Sequence, residues 1–338
     1  MQLYAGIDLH SSNIYLGILA GRHKRIFGKR LPNSIEKIKM ALAPYKKDIA
    51  AIAVESTYNW YWLVDGLMDE GYPVHLANPA AMKQYDGLKY TDDKSDAFWL
   101  AQMLALKILP EGYIYPKEKR PARDLLRKRM RYVNHRTSHI LSFQNLITRN
   151  LGIKMSGRQI KRLKPEDIRQ LFDSPLIILA ADSGKAAIEF YTSRIKMMEK
   201  QVIAEVECKP EYEFLRTIPG IGLILALTIM LEVEDIKRFK KVGNYVSYCR
   251  CVKSINLSNN KKKGEGNRKS GNKYLSWAYV EAAHHCMRSC LDAHKFYQRK
   301  KAKNNGAVAT KALAGKLARA SYYVIRDLIP YNGEKLFG

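Results

Sequence analysis

Two apolar runs in this chain each end on a carboxylate, and that repetition constrains the fold more than any other feature. Leu3-Tyr4-Ala5-Gly6-Ile7-Asp8 reads as a strand closed by Asp8, and Ile49 to Val54 reads as a second strand delivering Glu55. Further along, Thr91-Asp92-Asp93-Lys94-Ser95-Asp96-Ala97 opens a predicted helix. Its i, i+3 spacing stacks Asp93 and Asp96 on one helical face, a spacing that Asp92 lacks. Four carboxylates held together repel unless a divalent cation neutralises them, and oxygen-only ligands suit Mg²⁺ or Mn²⁺. Two such ions stabilise the attacking and leaving oxygens of an in-line phosphoryl transfer. Asp8, Glu55, Asp93 and Asp96 are therefore candidate metal ligands and catalytic groups for chemistry on phosphodiesters.

Composition points to the same substrate class. With 58 basic against 32 acidic residues the formal net charge is +26, a field that calls for a polyanionic partner, nucleic acid first. A membrane surface would need an anchor, and none is expected. The most apolar stretch, Ile218 to Val233, is interrupted by Pro219, Gly220 and Gly222, so the expected compartment is the cytoplasm. Five cysteines (Cys208, Cys249, Cys251, Cys286 and Cys290) form neither a disulfide framework nor a zinc-finger spacing, and they read as reduced thiols.

The 338 residues allow more than one domain, and the expected class is α/β plus all-α. Residues 1–110 give strands at 2–8, 13–20, 24–30, 49–55 and 72–77 with helices near 34–45, 59–70 and 93–107. The last of these carries Trp99, Leu100, Met103, Leu104 and Ile108 on its apolar face. Three strands, a helix, then alternating strands and helices is the order of a ribonuclease H-like sheet. Pro110, Gly112 and Pro116 mark a linker.

Residues 117–207 are expected to form a basic helical region. Leu126, Met130, Val133, Thr137 and Ile140 recur at spacings of four and three, a coiled-coil seam serving either a dimer or an antiparallel helical pair. Arg127, Lys128, Arg129, Arg131 and Arg136 are candidate contacts to a phosphate backbone. Residues 208–338 open with Ile218-Pro219-Gly220-Ile221-Gly222 between two helical patterns, which resembles a helix-hairpin-helix whose Gly220 and Gly222 expose backbone N–H groups to phosphate. A polar, glycine-rich stretch from Ser254 to Asn272 gathers Lys261, Lys262, Lys263, Arg268 and Lys269 around serines. It reads as a phosphate-gripping loop that carries a hydroxyl.

Taken in order, these motifs resemble the DEDD transposases of the insertion sequence 110 family, known as bridge-RNA-guided DNA recombinases. The resemblance rests on Gly6-Ile7-Asp8-Leu9-His10, Val54-Glu55-Ser56, Thr91 to Ala97, Ile218 to Gly222 and Gly271-Asn272-Lys273-Tyr274-Leu275, and covers nearly the whole chain. It implies an N-terminal RuvC-like domain whose metal ligands are Asp8, Glu55, Asp93 and Asp96, a coiled coil, and a C-terminal domain bearing a nucleophilic serine. Ser258 matches that serine best, with Ser254 in reserve. Arg250-Cys251-Val252-Lys253 and Asn259 stand where many members have Gly-Leu-x-Pro and a glycine. The resemblance further implies Mg²⁺ or Mn²⁺, element and target DNA, a guide RNA, and a homodimer or tetramer. A junction-resolving nuclease using metal-activated water would fit the same carboxylates. An actin-like kinase, suggested by Gly6-Ile7-Asp8 and Ser11-Ser12, lacks the second glycine-rich phosphate loop that it needs.

Overall fold

Strand alternation and three glycines set the architecture around the candidate carboxylates. The computed structural model describes residues 1–82, 92–206, 210–253, 256–259, 261–264 and 270–337, with backbone alone at 256–258 and 262–264. The chain forms two compact units, one built mainly on Met1–Lys117 and the other on Glu118–Lys262 and Gly271–Gly338.

In the first unit β1 (Leu3–Leu9), β2 (Asn13–Ala20) and β3 (Lys24–Pro32) make an antiparallel meander. Helix α1 (Ile35–Leu42) then leads to β4 (Ile49–Glu55), and α2 (Tyr61–Asp69) to β5 (Val74–Ala77). Strands β1, β4 and β5 are parallel, giving the mixed order β3-β2-β1-β4-β5, compatible with the expected ribonuclease H-like domain. Successive side chains alternate across the sheet. Ile7, Leu16, Ile52 and Val54 share one core with Leu42 of α1 and Leu63 and Leu67 of α2. On the other face, Ala51, Ala53 and Leu19 meet Leu100, Met103, Phe98 and Ala101 of α3 (Asp93–Ala105).

Helix α3 lies unusually close to the sheet because glycines line up beneath it. Gly6 of β1 pairs with Gly17 of β2, and Gly17 pairs with Gly28 of β3. A Cβ at Gly6 would fall 2.0 Å from the Ala97 carbonyl oxygen and 2.7 Å from the Ala101 nitrogen. At Gly17 and Gly28 it would meet the Phe98 ring, at 2.9 and 3.0 Å. The helix stops at Leu106 as Lys107 turns to φ 58°, so Ile108 lies beyond its apolar face and is 60% exposed, contrary to expectation.

In the second unit α4 (Arg120–Leu151) ends on Gly152 at φ 69°, followed by α5 (Gly157–Arg162), α6 (Pro165–Leu171) and α7 (Pro175–Glu205). Helices α4 and α7 run antiparallel, since Arg129 meets Glu199 while Arg136 meets Thr192. Of the expected seam, Leu126 is buried, Met130, Val133 and Ile140 are half-buried, and Thr137 is exposed. The remaining elements are α8 (Pro210–Arg216), α9 (Leu223–Val233), α10 (Val242–Tyr248), a hairpin of β6 (Asn256–Ser258) and β7 (Lys261–Gly264), α11 (Lys273–Ser289), α12 (Leu291–Lys303), α13 (Gly306–Asp327) and α14 (Glu334–Phe337). Leu126 and Val202 enter the same core as Ile229, Tyr245, Tyr279 and Leu317. Cys249, Cys251 and Cys286 also lie in this core, where burial pushes Cys251 up to about 11 and Cys286 up to about 12. Among the described residues no helix is long and apolar enough to cross a membrane.

Candidate metal centre

The two strand-borne carboxylates share the face on which α3 lies. Asp8 is two residues beyond Gly6 on β1, and Glu55 two beyond Ala53 on β4, so alternation points both to the α3 side. Ile7 pairs with Val54 in the parallel register, which makes Asp8 and Glu55 neighbours at the strand ends. Helix α3 brings Asp93 to Asp8 and sets Asp96 within electrostatic reach of Glu55. From Ala97, packed over Gly6, back to Asp93 is four residues, or about 6 Å of helix. From Gly6 on to Asp8 is about 6.6 Å of strand, so a helix running against β1 brings Asp93 level with Asp8.

The contacts bear out that geometry. His10 Nε2 lies 3.0 Å from Asp8 Oδ2 and 3.2 Å from Asp93 Oδ1, and an Arg30 guanidinium nitrogen is 2.6 Å from Asp93 Oδ2. Asp8, His10 and Asp93 each present a ligand atom within 4.8 Å of the others. Glu55 hydrogen-bonds Asp8. Burial, that hydrogen bond and the charges of Asp8 and Asp96 push Glu55 up to about 7. Burial alone would lower the His10 pKa, but the Asp8 and Asp93 carboxylates outweigh it and the net shift is upward. Asp92 serves the helix instead. Its Oδ1 accepts the Ser95 N–H at 2.7 Å and caps α3, leaving Asp93 to face the cluster.

Asp8 Oδ2 is buried and, although near His10, makes no hydrogen bond of acceptable geometry. A buried anionic oxygen that has only a histidine edge beside it, near a second aspartate, suits a hard divalent cation, and the carboxylates of Asp8 and Asp93 are the oxygen ligands that Mg²⁺ or Mn²⁺ take. His10 and Arg30 were not among the sequence candidates. His10 had a signal, being two residues after Asp8 at a strand end. Arg30 had none, because only the β2–β3 register brings it towards α3.

The expected nucleic-acid contacts divide sharply. Arg127 forms a two-pronged ion pair with buried Glu232 (2.6 and 2.7 Å) and lies 4.5 Å from the Tyr274 ring centre, and the pairing raises its pKa despite burial. Asn272 donates to the same Glu232 at 2.7 Å, while its Oδ1 accepts from Tyr274 N and Leu275 N to cap α11. Arg127 therefore ties α4, α9 and α11 together instead of reaching for phosphate. Arg129 is likewise committed to Glu199, at 2.6 Å, and Arg136 reaches Thr192 at 3.4 Å with its pKa lowered by burial and by Arg129. Lys128 and Arg131 remain exposed. Arg127→Ala leaves Glu232 buried without its cation and is expected to destabilise the second unit by about 3 kcal/mol, read from urea unfolding. Lys128→Ala is expected to leave stability unchanged and to reduce the salt slope of DNA binding by about 1.

Gly220 is required by packing: at φ 89°, its missing Cβ would fall 2.3 Å from the Ala282 carbonyl oxygen of α11. Gly222, by contrast, is open and stands at the N-terminus of α9. Ser258 ends β6, and Asn259 follows at φ 51°, a left-handed conformation that asparagine tolerates and glycine adopts freely. Lys261 is exposed, and Lys262 and Lys263 continue β7. Ser254, Arg268 and Lys269 lie outside the described residues.

Comparison with known proteins gives two matches in chain order. Residues 5–150 match the family model of DEDD transposases of the IS110 type, described as Transposase, and residues 212–298 match Transposase IS116/IS110/IS902 family. The chain is 24% identical over 236 residues to the transposase for insertion sequence element IS1111A of Coxiella burnetii, covering 68% of this chain and 63% of that protein. It is 28% identical over 130 residues to the insertion element IS110 uncharacterized 43.6 kDa protein of Streptomyces coelicolor, covering 38% of this chain and 31% of that one. The chain thus spans less than two thirds of the length of either relative.

Proposed function

The chain belongs to the IS116/IS110/IS902 family of transposases, and we propose that it cuts and exchanges DNA strands at the ends and target of an insertion sequence. The observation that carries this reading is the meeting of Asp8, His10 and Asp93, with Glu55 hydrogen-bonded to Asp8 and within the field of Asp96, in a chain of net charge +26. Those four residues would hold Mg²⁺ or Mn²⁺, with His10 beside them. When bound, the cation supplies Lewis-acid stabilisation of charge on the phosphate and the leaving oxygen.

The chain's own groups do the rest. Glu55, whose proton is held by burial and by Asp8, would have to be ionised to serve as a ligand, and Asp93 would be held in place by Arg30. Ser258 supplies the attacking hydroxyl: its oxygen bonds to phosphorus as the phosphodiester bond to the leaving strand breaks, and the hydroxyl proton ends on the leaving oxygen. A phosphoserine link results, which conserves the bond energy for rejoining. Lys261, Lys262, Lys263, Arg268 and Lys269 clamp the backbone around that serine, and Lys128 and Arg131 extend the basic surface. A homodimer or tetramer works in the bacterial cytoplasm with a bridge RNA as guide, and base pairing reads the sequence while the protein reads backbone and shape. Sequencing the RNA that copurifies tests that last element, a single structured species being expected.

Ser258→Ala is expected to eliminate the covalent protein–DNA adduct, seen as a band of retarded mobility after denaturation, while DNA affinity stays within about twofold, a serine hydroxyl contributing little to backbone binding. An adduct that persists in this variant removes Ser258 from the role. Hydrolysed ends without any adduct in the wild-type protein would instead favour a nuclease that uses water.

A further inference from the structure

A cleft of about 340 Å³ opens on the N-terminal unit beside α3, lined by Arg22, His23 and Arg25 from the β2–β3 hairpin and by Phe98, Trp99 and Gln102 from the helix. That volume is in the range of small-ligand sites. The lining carries features that serve no purpose in the metal cluster. Arg22 and Arg25 are exposed cations; no carboxylate is among the cleft's lining residues, and Arg25 is within electrostatic reach of Asp92 beyond it. The Arg25 guanidinium lies 4.4 Å from the Phe98 ring centre, a flat cationic–aromatic platform. Gln102 is held 3.0 Å from His23 Nδ1, which fixes its amide at the wall.

Cations for a phosphate and a flat guanidinium face, backed by the buried Phe98 ring, for a base to stack on are together the recognition chemistry of a nucleotide. Duplex DNA hides its base faces, so the occupant is an unpaired one. The position agrees: Trp99 follows Asp96 by three residues, about 4.5 Å along the same helix. We propose that this cleft binds an unpaired nucleotide of the strand whose phosphate is presented to the Asp8 cluster. The proposal rests on the strand-cleavage reading for the identity of the strand, but its binding chemistry is separate from the carboxylates.

The test uses the full-length protein, a single-stranded oligonucleotide carrying 5-bromouracil, and a duplex of the same sequence. Ultraviolet cross-linking followed by peptide mapping is expected to place the adduct on the peptide containing Phe98 and Trp99. The exposed double variant Arg22→Gln/Arg25→Gln is expected to weaken single-strand binding by about tenfold, the scale of one lost stacking platform, with duplex affinity changed less than twofold. Lys37→Gln/Lys47→Gln removes the same charge from exposed positions away from the cleft and is expected to change neither affinity. Equal losses in the two double variants would reduce the cleft to general electrostatics and overturn the proposal. So would cross-links only outside α3, or saturable binding of a free mononucleotide without preference for the strand. If these results came with normal metal-dependent cleavage, the proposed function would stand and the cleft alone would fail. Absence of any nucleic-acid binding would defeat both.

Discussion

Asp8→Asn is expected to abolish the proposed Mg²⁺-dependent strand cleavage, a loss of about 10³-fold or more, with DNA binding and fold retained. Asn keeps the shape of Asp8, so the effect isolates its charge. Asp8 is 2% exposed and stands between Glu55 and His10. Removing its charge also removes one of the causes that hold the Glu55 pKa high, the repulsion between the two carboxylates. The direction of the resulting stability change follows from linkage. In the folded wild type Glu55 titrates at about 7, above its ordinary 4.5, so folding takes up a proton in that window and stability falls as pH rises from 4.5 through 7. In Asp8→Asn this decline is shallower, and the metal-free variant is expected to be the more stable protein above pH 7. Gel assays of nicked DNA measure the first effect, and thermal unfolding between pH 5 and 8 measures the second. Wild-type cleavage by this variant would remove Asp8 from the chemistry.

Gly6→Ala is expected to destabilise the N-terminal unit by about 4 kcal/mol, at the upper end of what overpacking produces. The added methyl meets backbone, not a side chain: the Ala97 carbonyl at 2.0 Å and the Ala101 nitrogen at 2.7 Å. No rotamer change relieves that overlap, so α3 must lift or slide. Lifting α3 carries Asp93 and Asp96 away from Asp8, so divalent cation binding weakens together with stability. Gly17→Ala is the milder comparison, because its obstacle is the Phe98 ring, which can tilt. Hydrogen exchange of the β1 amides reads the local opening energy directly. Protection in Gly6→Ala within about 1 kcal/mol of wild type would contradict the close approach of helix and strand.

The carboxylates were legible because each obeys a local rule. Asp8 and Glu55 end apolar runs whose period of two assigns them a face, and Asp93 and Asp96 share a helical face through their spacing. The glycine line was not legible. Gly6, Gly17 and Gly28 are scattered in sequence and align only through two antiparallel registers, which no local pattern announces. Arg30 escaped notice for the same reason. The pairing of Arg127 was hidden for a related one: its neighbours on α4 are cations, but its partner Glu232 lies 105 residues away and is buried. Charge patterning along one helix counts cations without revealing which are already paired. Gly271 and Asn272 show the reverse case. They contributed to the family resemblance, and their physical work is a left-handed turn at φ 87° and the cap that joins α11 to Glu232.

The central claim is that Asp8, Glu55, Asp93 and Asp96 together bind a divalent cation. Titrating wild-type protein and Asp8→Asn with Mn²⁺ at pH 6 and pH 8, with the electron paramagnetic resonance signal of free Mn²⁺ as the readout, tests it most directly. Loading requires Glu55 to lose a proton held to about pH 7. Wild type is therefore expected to deplete free Mn²⁺ at pH 8, to bind about tenfold more weakly at pH 6, and to lose binding at both pH values in Asp8→Asn. Mn²⁺ that stays free at both pH values, or that binds the variant as tightly as wild type, would contradict the metal centre.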